Sequence, residues 1–202
     1  CAVYEAVGDC IMPREGVFAN LEGGVIRIGD EMEVVERVGK RPYQAAVITL
    51  SDKGSQGLRQ DESGPVIAER LKRKAMTSSK KSFADGREAL EQNLRRLADQ
   101  RQVDLILTTG GTGFGQRDVT PEATMAVATQ APGIAEAIRA ASMKVTKRAM
   151  LSRAVSVIRK KTLIINMPAV PRPARNAWMS FLETVPHGFD LLRGGVYDCA
   201  RK

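Results

Sequence analysis

From Gln44 onward, short continuous apolar runs alternate with longer amphipathic stretches. Ala45 to Leu50 and Val103 to Thr109 have the length and composition of strands buried on both faces. Between them, Pro65 to Lys74 repeats Val66, Ile67 and Leu71 at helical spacing, and Gly86 to Arg101 places Leu90, Leu94 and Leu97 on one stripe with charges opposite. Thr120 suits the cap of a helix whose first residue is Pro121, because proline's missing N–H costs nothing at that position. A further helix is expected from Pro132-Gly133, carrying Ile134, Ile138 and Met143. Val155 to Ile158 and Thr162 to Asn166 read as strands, Met167-Pro168 as a stop, and Arg175 to Val185 as the last long helix. Strands separated by helices predict an α/β fold of three layers, with a mostly parallel sheet covered by helices on both faces.

The N-terminal stretch follows a different pattern. Gly23-Gly24 and Gly29-Asp30 are turn signals around the strand-like Val25 to Ile28, and Met32 and Val34 alternate with Glu31 and Glu33. Residues 1–38 therefore read as a short β segment, too small for a core of its own. Gly39, Lys40, Arg41 and Pro42 mark a linker over 39–43, and 44–202 is the main domain.

No apolar run approaches the roughly 18 residues of a membrane span, and no secretory signal pattern opens the sequence. Cys1, Cys10 and Cys199, with the single histidine His187, match neither a disulfide framework nor a zinc site, so a cytoplasmic protein is expected. The formal net charge of +8 favours anionic ligands. Its densest run, Lys72, Arg73, Lys74, Lys80 and Lys81, is interleaved with Ser78, Ser79 and Ser82 and has no aromatic residues for base stacking. It reads as a solvated helix end and loop, and neither nucleic acid nor membrane is expected as a partner.

The chemistry is concentrated where the Leu105 to Thr109 run enters Gly110-Gly111-Thr112-Gly113-Phe114-Gly115-Gln116-Arg117-Asp118. A glycine- and threonine-rich loop at the carboxyl end of a parallel strand occupies the usual ligand address of open α/β sheets. The dinucleotide pattern fails because Gln116 follows where a third glycine is needed, and the P-loop fails because Gln116-Arg117 replaces Lys-Ser/Thr. Two readings remain for the loop: plain turn geometry, or a nest of amides for an anion, with Thr109 and Thr112 adding hydroxyls. Arg117 and Asp118 favour the second, since a cation and a carboxylate beside such a nest suit a metal-bound phosphate. Asp118 itself can be a turn cap or a metal ligand.

Thr108 to Gly113 followed by Arg117-Asp118-Val119-Thr120-Pro121-Glu122 resembles the molybdopterin adenylyltransferases and their MogA/MoaB-like relatives. Ser51-Asp52-Lys53 with Asp61 to Pro65, Pro132-Gly133, Ala149 to Arg153, Ile164 to Pro168 and Pro186-His187-Gly188 follow in family order. The resemblance implies Mg2+-dependent transfer of AMP from ATP to molybdopterin, with Asp118 and Asp85 as catalytic and metal-binding carboxylates. It implies substrate contacts from Ser51, Asp52, Ser63, Gly64, Thr109, Gly110, Gly111, Thr112, Gly113, Arg117, Ser152, Arg153 and Pro168, and a homotrimer. Asp85, at the start of the Gly86 to Arg101 helix, is equally readable as an N-cap, and His187 as a turn residue. A non-catalytic molybdopterin-binding protein of the same fold is the alternative function.

Two departures from the family pattern carry expectations of their own. Met76 to Phe83 is polar where relatives have an apolar strand, which predicts a weak or irregular sheet edge. Ala169 stands where relatives have glycine, which predicts strain if that position needs positive φ. Upstream, Cys10 to Ala19 and Gly23 to Asp30 resemble the C-terminal end of a MOSC domain, a β-rich module of molybdenum-cofactor chemistry.

Overall fold

A computed structural model describes residues 41–50, 63–74, 76–83, 86–167 and 181–195, with the backbone alone at residue 63 and through 77–83. The chain divides into two compact units, Cys1–Lys40 and Arg41–Lys202. The β-rich reading of residues 1–38 lies outside the described residues, as do Ser51, Asp52, Lys53, Asp85, Pro168 and Ala169.

The second unit builds β1 (Gln44–Leu50), α1 (Ser63–Arg73), β2 (Thr77–Phe83), α2 (Arg87–Arg95) with a π turn over Arg96–Gln100, and β3 (Leu105–Thr109). It continues through α3 (Thr120–Met125), β4 (Thr129–Gln130), α4 (Gly133–Met143), a 3-10 turn (Lys147–Leu151), β5 (Ser156–Arg159), β6 (Thr162–Met167) and α5 (Val185–Leu192). Among the described residues, the sheet has the order β2-β1-β3-β6-β5-β4. β2, β1, β3 and β6 run parallel, and β5 pairs antiparallel with both β6 and β4. This is the mostly parallel α/β sheet expected from the sequence.

Period-2 alternation in the strands divides the core between the two faces of the sheet. Ala45, Val47, Leu105 and Leu107 join Ile67 and Leu71 of α1, Ile138 of α4, and Val185 and Phe189 of α5. Ala46, Ile48 and Ile106 point the other way, onto Leu90 and Leu94 of α2 and Ala123 of α3. Helices therefore cover both faces, and β3 and β6 are buried at every position because neither face meets water. The connection from β1 to β2 runs toward one edge of the sheet, and the next return passes beyond β1 to β3. The carboxyl ends of β1 and β3 consequently flank a topological switch point, where open sheets leave a crevice for ligands.

Four local expectations are corrected. Residues 77–83 form a continuous strand paired along the whole of β1, from Gln44 opposite Thr77 to Leu50 opposite Phe83. As the outermost strand of the sheet, it takes its order from backbone pairing rather than from an apolar sequence. Thr120 is the first residue of α3 rather than its cap. Its hydroxyl donates backward to the Gly110 carbonyl at 3.0 Å, fastening the helix to the loop before it. The last helix, read over Arg175 to Val185, instead begins at Val185 after a 3-10 turn at 181–183, and His187 lies inside it as part of α5.

Candidate active site

The glycine loop leaves β3 at Thr109, and its shape is set by two glycines that no other residue replaces without strain. Gly110 has φ +105°, and a Cβ there would stand 2.2 Å from the Leu50 carbonyl oxygen of neighbouring β1. Gly111 has φ +62°, and its Cβ would meet Thr120 Oγ1 at 2.4 Å. Left-handed backbone and close approach together demand glycine at both positions. Further along, Asp118 folds back into the loop: the Gly115 amide donates to Oδ2 at 3.0 Å, and the Asp118 amide donates to the Gly115 carbonyl at 2.9 Å. A Cβ on Gly113 or on Gly115 would stand 2.9 Å from that same Oδ2. These two glycines thus make room for a carboxylate, which is both the turn cap and the acid of the loop.

Arg153 holds the loop from behind. Its main-chain amide donates to Thr112 O at 2.8 Å, and its Nε donates to Gly113 O at 2.6 Å. The remaining guanidinium nitrogens donate to the Asp118 carbonyl and to the Glu122 carboxylate on α3. The segment carrying Arg153 is held in turn by Arg139 of α4, which donates to Ser152 O at 3.0 Å and to Ala154 O at 2.9 Å. Beneath the loop, fully buried Asn166 donates to Thr108 Oγ1 at 3.0 Å and to Thr124 Oγ1 at 2.9 Å, linking β6, β3 and α3. Buried polar groups are tolerated when hydrogen-bonded in this way, and such a network gives the site one fixed arrangement.

On its open side the loop lines a cavity of about 480 Å³. Gly111, Thr112, Gly113, Asp118 and Ser152 line it, so these sequence-predicted residues come together. Gly110 lies under the loop against β1, Thr109 is buried at the strand end, Arg117 is exposed, and Gly64 is buried in the first turn of α1; none of these lines the cavity. Arg153 is the brace just described rather than a lining residue. The other wall comes from α4 and the 3-10 turn, with Ala135, Ile138, Arg139, Ser142, Thr146 and Arg148. Sequence reasoning missed this wall. Its one signal in the sequence was Arg139, a cation directly after the core-stripe position Ile138.

Fold and site together define a class: an α/β protein with an amide-rich, carboxylate-bearing loop at the switch point of a mostly parallel sheet, opening on a cavity of small-molecule size. Comparison with known proteins narrows this class. The family profile described as a probable molybdopterin binding domain matches residues 46–187. The chain belongs to this family. It is 38% identical to the molybdopterin adenylyltransferase of Helicobacter pylori strain J99 over 160 residues, covering 77% of this chain and 91% of that protein. It is 41% identical to the molybdopterin adenylyltransferase of Escherichia coli K12 over 170 residues, covering 76% and 87%. Among solved structures, the molybdopterin biosynthesis enzyme MoaB of Thermus thermophilus superposes with TM-score 0.69 at 38% identity, covering 75% of this chain and 97% of that one. The Mog protein of Mycobacterium ulcerans gives 0.70 at 35%, covering 77% and 99%. This kinship makes the chain a nucleotidyltransferase of molybdenum-cofactor biosynthesis.

Proposed function

We propose that the chain transfers the adenylyl group of ATP to the phosphate of molybdopterin, giving adenylyl-molybdopterin and pyrophosphate, with Mg2+ as the metal. The observation that supports this best is the glycine loop, with its nested Asp118 carboxylate, opening on a cavity of about 480 Å³. A cavity of this size accepts a heterocyclic substrate, and loop amides suit its phosphate. Ser142 Oγ, in the cavity wall, is buried and has no hydrogen-bond partner among the described residues, which fits a ligand that brings one. Arg148 is exposed at the same wall and adds positive charge.

Magnesium fits the donors present, since it is commonly held by one or two carboxylates together with substrate phosphates, and Asp118 supplies a hard carboxylate beside the loop. When bound, the ion neutralises charge on the phosphate oxygens as pyrophosphate departs. Asp118 would hold it, together with Asp85. The loop orients the molybdopterin phosphate toward the α-phosphorus of ATP. An ionised phosphate needs no enzyme base to attack, so positioning and electrostatics carry the catalysis. The chemistry draws on ATP and belongs in the cytoplasm.

Asp118→Asn tests this reading, because the amide keeps the side chain's shape and removes its charge. Adenylyl transfer is expected to fall by about two orders of magnitude or more, the scale for losing a key electrostatic group. Molybdopterin binding, followed by fluorescence, should survive. Equal turnover in folded variant and parent would defeat the catalytic assignment and put the binding-protein reading in its place.

A further inference from the structure

Arg153 is the most heavily engaged cation at the site, and its partners lie on the protein rather than in the cavity. Nε takes the Gly113 carbonyl, a second nitrogen takes the Asp118 carbonyl, and a third pairs with Glu122. Glu122 Oε2 is buried without a hydrogen-bond partner among the described residues, so its carboxylate is compensated at Oε1, by Arg153. We infer that Arg153 and Glu122 form a positioning pair, which fixes the glycine loop in its anion-receiving conformation without touching substrate. This inference rests on the reaction proposed above and specifies how its phosphate-facing loop is kept in shape.

The physical reason lies in the peptide plane. In a trans peptide the N–H points opposite to the preceding C=O. Once the guanidinium captures the carbonyls of Gly113 and Asp118, the amides of Phe114 and Val119 are directed away from Arg153. The Phe114 amide has no hydrogen-bond partner among the described residues and stays available to an anion. Arginine's planar fork spans three acceptors in one rigid geometry, whereas a lysine ammonium is a single point charge on a flexible stem. Glu122 sets the plane of that fork from α3, the helix that Thr120 already ties to Gly110.

The test compares the full chain with Arg153→Ala, Arg153→Lys and Glu122→Gln by amide hydrogen exchange and by steady-state kinetics. In Arg153→Ala the amides of Gly115 and Asp118 should exchange at least tenfold faster, with Ile106 and Leu107 of β3 unchanged. Millimolar guanidinium should restore their protection, and Arg153→Lys should not. In the transfer assay kcat should fall while KM for ATP stays put, and guanidinium should recover kcat. If Arg153→Ala does not fold, Glu122→Gln decides, with severalfold faster loop exchange expected. Unchanged loop exchange in the folded variants would overturn the inference, as would a raised KM for molybdopterin with unchanged kcat, which marks a substrate ligand. Absence of transfer in the parent would defeat the proposed reaction instead, and the exchange measurements would still decide the brace.

Discussion

Gly111 shows how tightly single residues are specified in the loop. An alanine there must adopt φ +62° and must also displace Thr120 Oγ1 from a position 2.4 Å from its Cβ. Left-handed backbone on a residue with a side chain costs of order 1–3 kcal/mol, and the clash threatens the bond from Thr120 to Gly110. Gly111→Ala should therefore lower the free energy of unfolding in urea by about 2 kcal/mol and abolish most transfer activity. Full stability in this variant would mean that the loop does not hold this backbone. Other residue-scale features were only partly readable in the sequence. Glycines at 110, 111, 113 and 115 announced a special backbone, but not that Gly113 and Gly115 accommodate Asp118 Oδ2. Arg153 was legible as a cation near the site, but its use as a brace depends on carbonyl directions that only the folded loop defines.

Among the elements, the join between α2 and the β5–β6 hairpin offers a test by pH. Asp99, in the π turn that follows α2, accepts from Arg159 Nε at 3.1 Å and lies 3.1 Å from Lys160 Nζ. The hydrogen bond from Arg159 is the main cause holding the Asp99 carboxyl below the usual carboxylate range, against the opposing pull of burial. A depressed folded-state pKa gives stability that is present above the unfolded value of 3.8 and is lost as pH falls through the folded value. Asp99→Asn should accordingly lower the urea midpoint at pH 7, with the difference from the parent shrinking below pH ~3.8. A difference that stays constant across that window would contradict the pairing. The long apolar strands β1, β3 and β6 and the striped helix α2 were legible because burial on both faces leaves a strong periodic signal. β4 was not, since two exposed residues carry no pattern, and the order in polar β2 comes from pairing with β1. The α4 wall of the cavity was also hidden, because short-range spacing does not say which helix closes a crevice.

Over the whole molecule, Met143, Val145, Met150 and Leu151 expose between 43% and 58% of their surface across the end of α4 and the 3-10 turn. An apolar cluster of this kind marks an interaction surface. We propose that copies of the chain associate through it as the homotrimer implied by the family resemblance. Sedimentation equilibrium should give three times the 22.0 kDa chain mass, and Met150→Asp should shift it toward one; a strict monomer at micromolar concentration would refute the trimer. The proposed reaction breaks ATP between its α- and β-phosphates. Purified protein incubated with Mg2+, molybdopterin and ATP labelled at either the α- or the γ-phosphate reads this directly. Adenylyl transfer predicts that the α label moves onto molybdopterin and the γ label leaves in pyrophosphate, in equal amounts. Label on molybdopterin from the γ position, or none from either, would contradict it.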